Sequence, residues 1–164
     1  LPTLSCYGKI YGCNALYREF TPDVLVATDR PIATHIQESG YSKQHRFHTR
    51  RPLEGFGAQG VPKPYFGFSS GPIATGLAAL DGHNLIYLLG FDMGPSANNT
   101  INNLYAGTEF YKQLVRIMTD HKITRFIRIN GPTTATVPEF EALNNFASLD
   151  LHTFVDRINN QKDL

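Results

Sequence analysis

Phe68-Ser69-Ser70-Gly71-Pro72, an Ala/Leu-rich run to Asp81-Gly82, and then Leu85-Ile86-Tyr87-Leu88-Leu89-Gly90-Phe91-Asp92 read as one loop, helix and strand in succession. A small hydroxyl-bearing turn opens the helix, whose first backbone N–H groups and positive dipole end can hold a phosphate or carboxylate. The buried strand that follows stops at Gly90-Phe91-Asp92. In open α/β sheets the carboxyl ends of the strands face the ligand crevice, so Asp92 is expected on the same rim as the Ser69-Ser70-Gly71 turn. Each feature also has a plain structural use. Pro72 at N1 behind a Ser or Gly cap is ordinary helix punctuation, and an Asp after a strand often caps the next turn. Together, at this spacing, they favour a site.

Working outward, residues 7–12 are apolar and β-favouring, and end at Cys13-Asn14. Residues 14–18 suit a short helical turn, and Thr21-Pro22-Asp23 is turn chemistry before a second buried strand over 24–28 that delivers Asp29 at its carboxyl end. A helix is expected over 31–38, stopped by Ser39-Gly40. Residues 41–67 crowd Lys43, His45, Arg46, His48, Arg50 and Arg51 ahead of a Gly/Pro-rich stretch, and read as a long, partly irregular excursion. Arg46, Arg50 or Arg51 is then a candidate to face a phosphate, against the plainer reading of a solvated basic loop. The later chain predicts a linker over 94–100, an amphipathic helix over 104–121, and a strand over 123–129 whose Arg125 and Arg128 point to a sheet edge. A helix over 138–146 and a last strand over 151–155 complete the order. This alternation predicts one three-layer, Rossmann-like α/β domain over 1–164, with a mostly parallel sheet covered by helices on both faces.

Composition narrows the classes. With 164 residues, 41% of them hydrophobic, the chain can bury a real core. Fifteen basic against 14 acidic residues give no global case for nucleic acid or an anionic membrane, although 43–51 leaves a local basic stretch. No apolar run is long enough to span a bilayer, so a soluble, cytoplasmic protein is expected. Cys6 and Cys13 flank one expected strand, too far apart to bond to each other, and read as reduced. The chain opens Leu1-Pro2-Thr3 without a methionine and soon enters a strand, so a missing upstream segment is expected.

Tyr11-Gly12-Cys13-Asn14-Ala15-Leu16, then Pro22 through Asp29, then Ser69-Ser70-Gly71 with Gly90-Phe91-Asp92, resembles the MptE-like family. That family includes 6-hydroxymethylpterin pyrophosphokinases, and the same landmarks recur in bacterial sialyltransferases that use CMP-sialic acid. The resemblance covers about residues 7–120 through short motifs. It implies a Rossmann-like sheet binding a nucleotide at the strand ends, with Asn14 after the first strand, Asp29 as strand-end carboxylate, Ser69, Ser70 and Gly71 as the phosphate turn, and Asp92 as the acid of the Gly-x-Asp motif. The chain departs from the family in lacking a Gly-Asn-Gly-Pro-Ser-like loop before Tyr7. It has Gly67 and Gly94 where the sialyltransferases carry Arg and Tyr.

Three classes stay open. In a nucleotide-dependent phosphoryl or pyrophosphoryl transferase, Asp29 and Asp92 hold Mg²⁺ while the Ser-Ser-Gly turn and a loop arginine such as Arg46 position phosphates. A non-catalytic interaction module, for example part of a homo-oligomer or a viral particle, would present the Gly/Pro-rich loop together with Tyr65 and Phe66, which are expected to be exposed. The third class is a sugar-nucleotide glycosyltransferase.

Overall fold

In the computed structural model, residues 3–93 and 108–160 are described. The architecture is α/β and Rossmann-like, with every strand pairing parallel, and the strands form a four-stranded and a three-stranded sheet. The chain divides into two compact units, Leu1–Ala78 and Ala79–Leu164.

Unit 1 carries β1 (Tyr11–Cys13), β2 (Val24–Val26), β3 (Phe47–Thr49) and β4 (Gln59–Gly60), paired in that order. β1 begins only at Tyr11: a 3₁₀ turn at Leu4–Cys6 precedes the expected strand over 7–12, and residues 7–10 stay outside the sheet. The Ile10 N–H donates to Asp23 Oδ2 at 2.7 Å, so the Pro22-Asp23 pair ties the amino ends of β1 and β2 together. Gly12 has a packing reason: a Cβ there would run into Leu16 Cδ2 and lie 3.2 Å from the Pro22 ring. β2 is buried at all three residues, as parallel strands covered on both sides are. Leu25 and Ala27 pack with Phe47 and with Ala33 and Ile36 of α1 (Arg30–Glu38), flanked by Tyr17, Ile32, Tyr41 and Ala58.

The expected irregular excursion over 41–67 is instead mostly built into the fold. It contains α2 (Tyr41–Gln44), β3, β4 and a 3₁₀ turn at Lys63–Tyr65. Polar residues hold it. Gln37 is 1% exposed, and its amide donates to the carbonyls of Ala33 and Arg51 and accepts from the Leu53 N–H. Ser42 Oγ donates to the Phe56 carbonyl at 2.6 Å. Gly57 follows at φ +77°, where a Cβ would lie 2.5 Å from the Ser42 carbonyl oxygen.

Unit 2 carries β5 (Leu85–Leu88), β6 (Arg125–Asn130) and β7 (Phe146–Asp150), in that order. β6 is therefore central, and the edge position expected from Arg125 and Arg128 is corrected. Arg125 is exposed at the strand's start, whereas Arg128 is buried. α4 (Thr108–Asp120) turns Leu114, Ile117 and Met118 fully inward. The linker expected over 94–100 and the first turn of the helix expected over 104–121 lie outside the described residues. Asn145 Nδ2 lies 2.9, 3.1 and 3.0 Å from the carbonyl oxygens of Met118, His121 and Thr124, and so holds the end of α4 to the start of β6.

Two further expectations are overturned. The helix over 138–146 is only α5 (Pro138–Glu141), and the strand over 151–155 is the start of α6 (Leu151–Asn160). Asp150 caps α6 through the Thr153 N–H at 2.9 Å and the Thr153 hydroxyl at 2.6 Å. Phe154 and Ile158, four apart, form the helix's buried stripe.

Gly57→Ala should cost about 1–3 kcal/mol from left-handed backbone strain alone, with the clash adding to it, and calorimetry should read a Tm several degrees lower. The bonds from Thr153 hold the Asp150 carboxyl below the ordinary carboxylate range. Its stabilisation of α6 is therefore present above the unfolded-chain value of about 3.9 and is lost as pH falls through the lower folded value. The Thr153 amide resonance should titrate with a midpoint below about 3.9 in the native chain and show no such step in Asp150→Asn.

Candidate functional site

The carboxyl edge of the unit 1 sheet brings several expected residues together. Cys13 pairs with Val26 in register, so Asn14 and the 27–29 segment leave neighbouring parallel strands at the same edge. There the Thr28 N–H donates to Ser70 Oγ at 3.1 Å, and the Thr28 and Ser70 hydroxyls share a second bond at 3.0 Å. Both residues are buried. The hydroxyl of Ser70 is thus used to seat the amino end of α3 (Ser70–Leu80) against the end of β2. Ser69 supplies the carbonyl for the first helical bond, to the Ile73 N–H, and Gly71 supplies one to the Thr75 hydroxyl. Asp29 stands at the N-cap position of α1 without a side-chain capping bond there.

Asn14 is the most unusual of the set. It adopts φ +54°, a left-handed backbone that asparagine tolerates better than most residues, and opens the 3₁₀ turn Asn14–Arg18. Its Oδ1 is buried without a hydrogen-bond partner among the described residues. A buried acceptor in this condition calls for a ligand or water to complete it.

The basic residues go elsewhere. Arg46 precedes β3, at the opposite edge of the sheet, and its Nε–H donates to His48 Nε2 at 3.1 Å. His48 is thereby fixed as the Nδ1–H tautomer, which donates to the Gly60 carbonyl at 2.9 Å. Arg50 lies at the carboxyl edge, but its guanidinium holds the carbonyls of Phe66 at 2.7 Å and Phe68 at 2.5 Å. It shapes the approach to the Ser69-Ser70-Gly71 turn. Lys43 Nζ sits 5.3 Å from the Phe56 ring centroid, and Arg51 is exposed. Tyr65, expected at the surface, is buried at 3% against Phe68, whereas Phe66 is 54% exposed.

Asp92 belongs to unit 2, beyond the carboxyl end of β5. Its Oδ1 accepts from Thr134 Oγ1 at 2.9 Å and its carbonyl accepts the Ala135 N–H at 2.8 Å. The Thr134 hydroxyl in turn accepts the Gly131 N–H, so Asp92 anchors the turn after β6. Among the described residues no three His, Cys, Asp or Glu side chains gather as a metal site. Both cysteines are free, and burial pushes the Cys13 thiol up, away from a reactive thiolate.

Sequence reasoning missed Thr28, Gln37, Arg128 and Ser148. Arg128 had a signal, a charged residue inside an apolar strand, which equally fits an edge. Compared with known proteins, the chain matches no family model, no curated protein and no solved structure.

Ser70→Ala leaves the buried Thr28 N–H without its acceptor. Chemical denaturation should report a loss of about 1–3 kcal/mol, whereas a hydroxyl that served a ligand alone would leave stability unchanged.

Proposed function

We propose that this chain is a nucleotide-dependent phosphoryl or pyrophosphoryl transferase that takes its nucleotide at the carboxyl edge of β1 and β2, where α3 begins. Asn14 carries the reading: a left-handed residue with a buried amide oxygen that has no partner among the described residues, on a strand edge shared with Asp29 and beside the strand that seats a helix N-terminus. Such an oxygen matches a hydroxyl or amino donor on the sugar or base. The first N–H groups of α3, at Ser70 and Gly71, have no acceptor within the helix and match a phosphate. Gly71 adds no side chain to hinder backbone approach.

Asp29 fits a Mg²⁺ ion brought by the nucleotide, since Mg²⁺ keeps several waters and takes one or two protein carboxylates besides the phosphates. That ion would neutralise charge on the transferred group, while the chain positions the phosphates. The reading rests on unit 1 alone; Asp92 holds its own turn in unit 2.

Isothermal titration with ATP, CTP, GTP and a CMP-sugar, with and without Mg²⁺, tests it. One nucleotide should bind in a Mg²⁺-dependent way. Asn14→Ala should weaken it about tenfold, as loss of one hydrogen bond does, and Asp29→Asn should remove the Mg²⁺ dependence. Binding of none of the four would end the enzyme reading. The second reading, an assembly module, is favoured by Leu53 at 38% and Phe66 at 54% exposed along the 53–66 stretch. It predicts instead that Phe66→Asp reduces self-association in sedimentation velocity.

A further inference from the structure

The central strand of unit 2 buries a positive charge with no carboxylate in ion-pair contact among the described residues. Arg128 is 1% exposed, and among the described residues it makes no ion pair. Its Nε–H donates to Asn130 Oδ1 at 3.1 Å, and its guanidinium carbon lies 5.6 Å from the Phe140 ring centroid and 5.8 Å from that of Phe146. Nη1 is buried and has no hydrogen-bond partner among the described residues, and the same is true of Ser148 Oγ. Arg128 and Ser148 are register partners on β6 and β7, so their side chains leave the same face of the sheet from strands about 5 Å apart.

Two orphaned polar groups on one face of adjacent strands are explained by a third group that both can reach. A water molecule would complete the hydrogen bonds and leave the charge offset only by Glu141 and Asp92, which act on it from beyond ion-pair contact. Contact with two aromatic rings offsets only part of the penalty for desolvating a guanidinium. An oxyanion satisfies both needs. Arg128 also lies in the carboxyl half of β6, the side on which parallel sheets receive ligands.

We propose that Arg128 and Ser148 form a binding site for a small monocarboxylate, one oxygen accepting from Nη1–H and the other from the Ser148 hydroxyl. Two single donors on adjacent strands match the two oxygens of one carboxylate. The Phe140 and Phe146 rings supply an apolar flank for its hydrocarbon part. Burial lowers the affinity of Arg128 for its proton while the negative charges of Glu141 and Asp92 raise it, so the surroundings already hold negative potential that disfavours a dianion such as phosphate. This site lies within unit 2 and does not depend on the nucleotide reading.

Thermal unfolding of the full chain, with sodium acetate or propionate replacing sodium chloride at constant ionic strength, tests the site. The Tm should rise saturably with carboxylate, and less with inorganic phosphate. Ser148→Ala should shift half-saturation about tenfold upward, as loss of a hydrogen bond to a charged group does, and Arg128→Met should abolish the response. Where Arg128→Met fails to fold, Ser148→Ala decides. Asn14→Ala should leave the carboxylate response intact, which separates this site from nucleotide binding. An absent or non-saturating rise, an unchanged half-saturation in Ser148→Ala, or a stronger response to phosphate than to acetate would overturn the assignment.

Discussion

The backbone N–H of Thr28, at the end of a strand buried on both sides, finds its acceptor 42 residues away in the hydroxyl of Ser70. A buried amide without an acceptor is costly, so this bond makes the end of β2 and the start of α3 a single structural element. What stands at the carboxyl edge of unit 1 is arranged around it. Asn14 arrives there through register with β2, and Asp29 leaves β2 one residue beyond the bonded amide. Arg50 fixes the carbonyls of the loop leading into the same helix.

Buried polar side chains do similar work throughout the molecule. Gln37 holds the chain after β3 to α1, His48 joins β3 to β4 through the Gly60 carbonyl, and Asn145 gathers the carbonyls between α4 and β6. In each case a side-chain amide or imidazole completes backbone groups that the ends of strands and helices leave unpaired. Arg128 breaks this pattern. One end of its guanidinium is held by Asn130 and the other is buried with nothing to bond to among the described residues. A residue so expensive to bury at the middle of a sheet is better explained by something it receives than by the fold it supports.

Much of unit 1's framework was legible because its signals are local. Val24-Leu25-Val26 bounded by Pro22-Asp23 can only be a buried strand, and Ser69-Ser70-Gly71-Pro72 ahead of an apolar run starts a helix. β3 and β4 were not legible. Phe47-His48-Thr49 is a three-residue strand whose His48 is buried because the distant Gly60 carbonyl satisfies it, and no periodicity announces that. The start of α6 was legible in principle: Asp150 followed by Thr153 is a capping pattern, and Phe154 and Ile158 keep helical spacing, but the β-favouring residues 151–155 outweighed it.

The sequence by itself determined the α/β class, the parallel alternation, and the arrival of Asn14, Asp29 and the Ser-Ser-Gly turn at strand and helix ends, because those follow from hydrophobic periodicity and turn chemistry within a dozen residues. Only the tertiary structure decided what the polar side chains do. Arg46 and Arg50 bond within unit 1, Asp92 holds a turn, and Arg128 is central and buried. The reason is that a charged side chain's role depends on which carbonyl, ring or carboxylate the fold brings within about 3 Å of it, and that partner lies at a sequence distance no local pattern encodes.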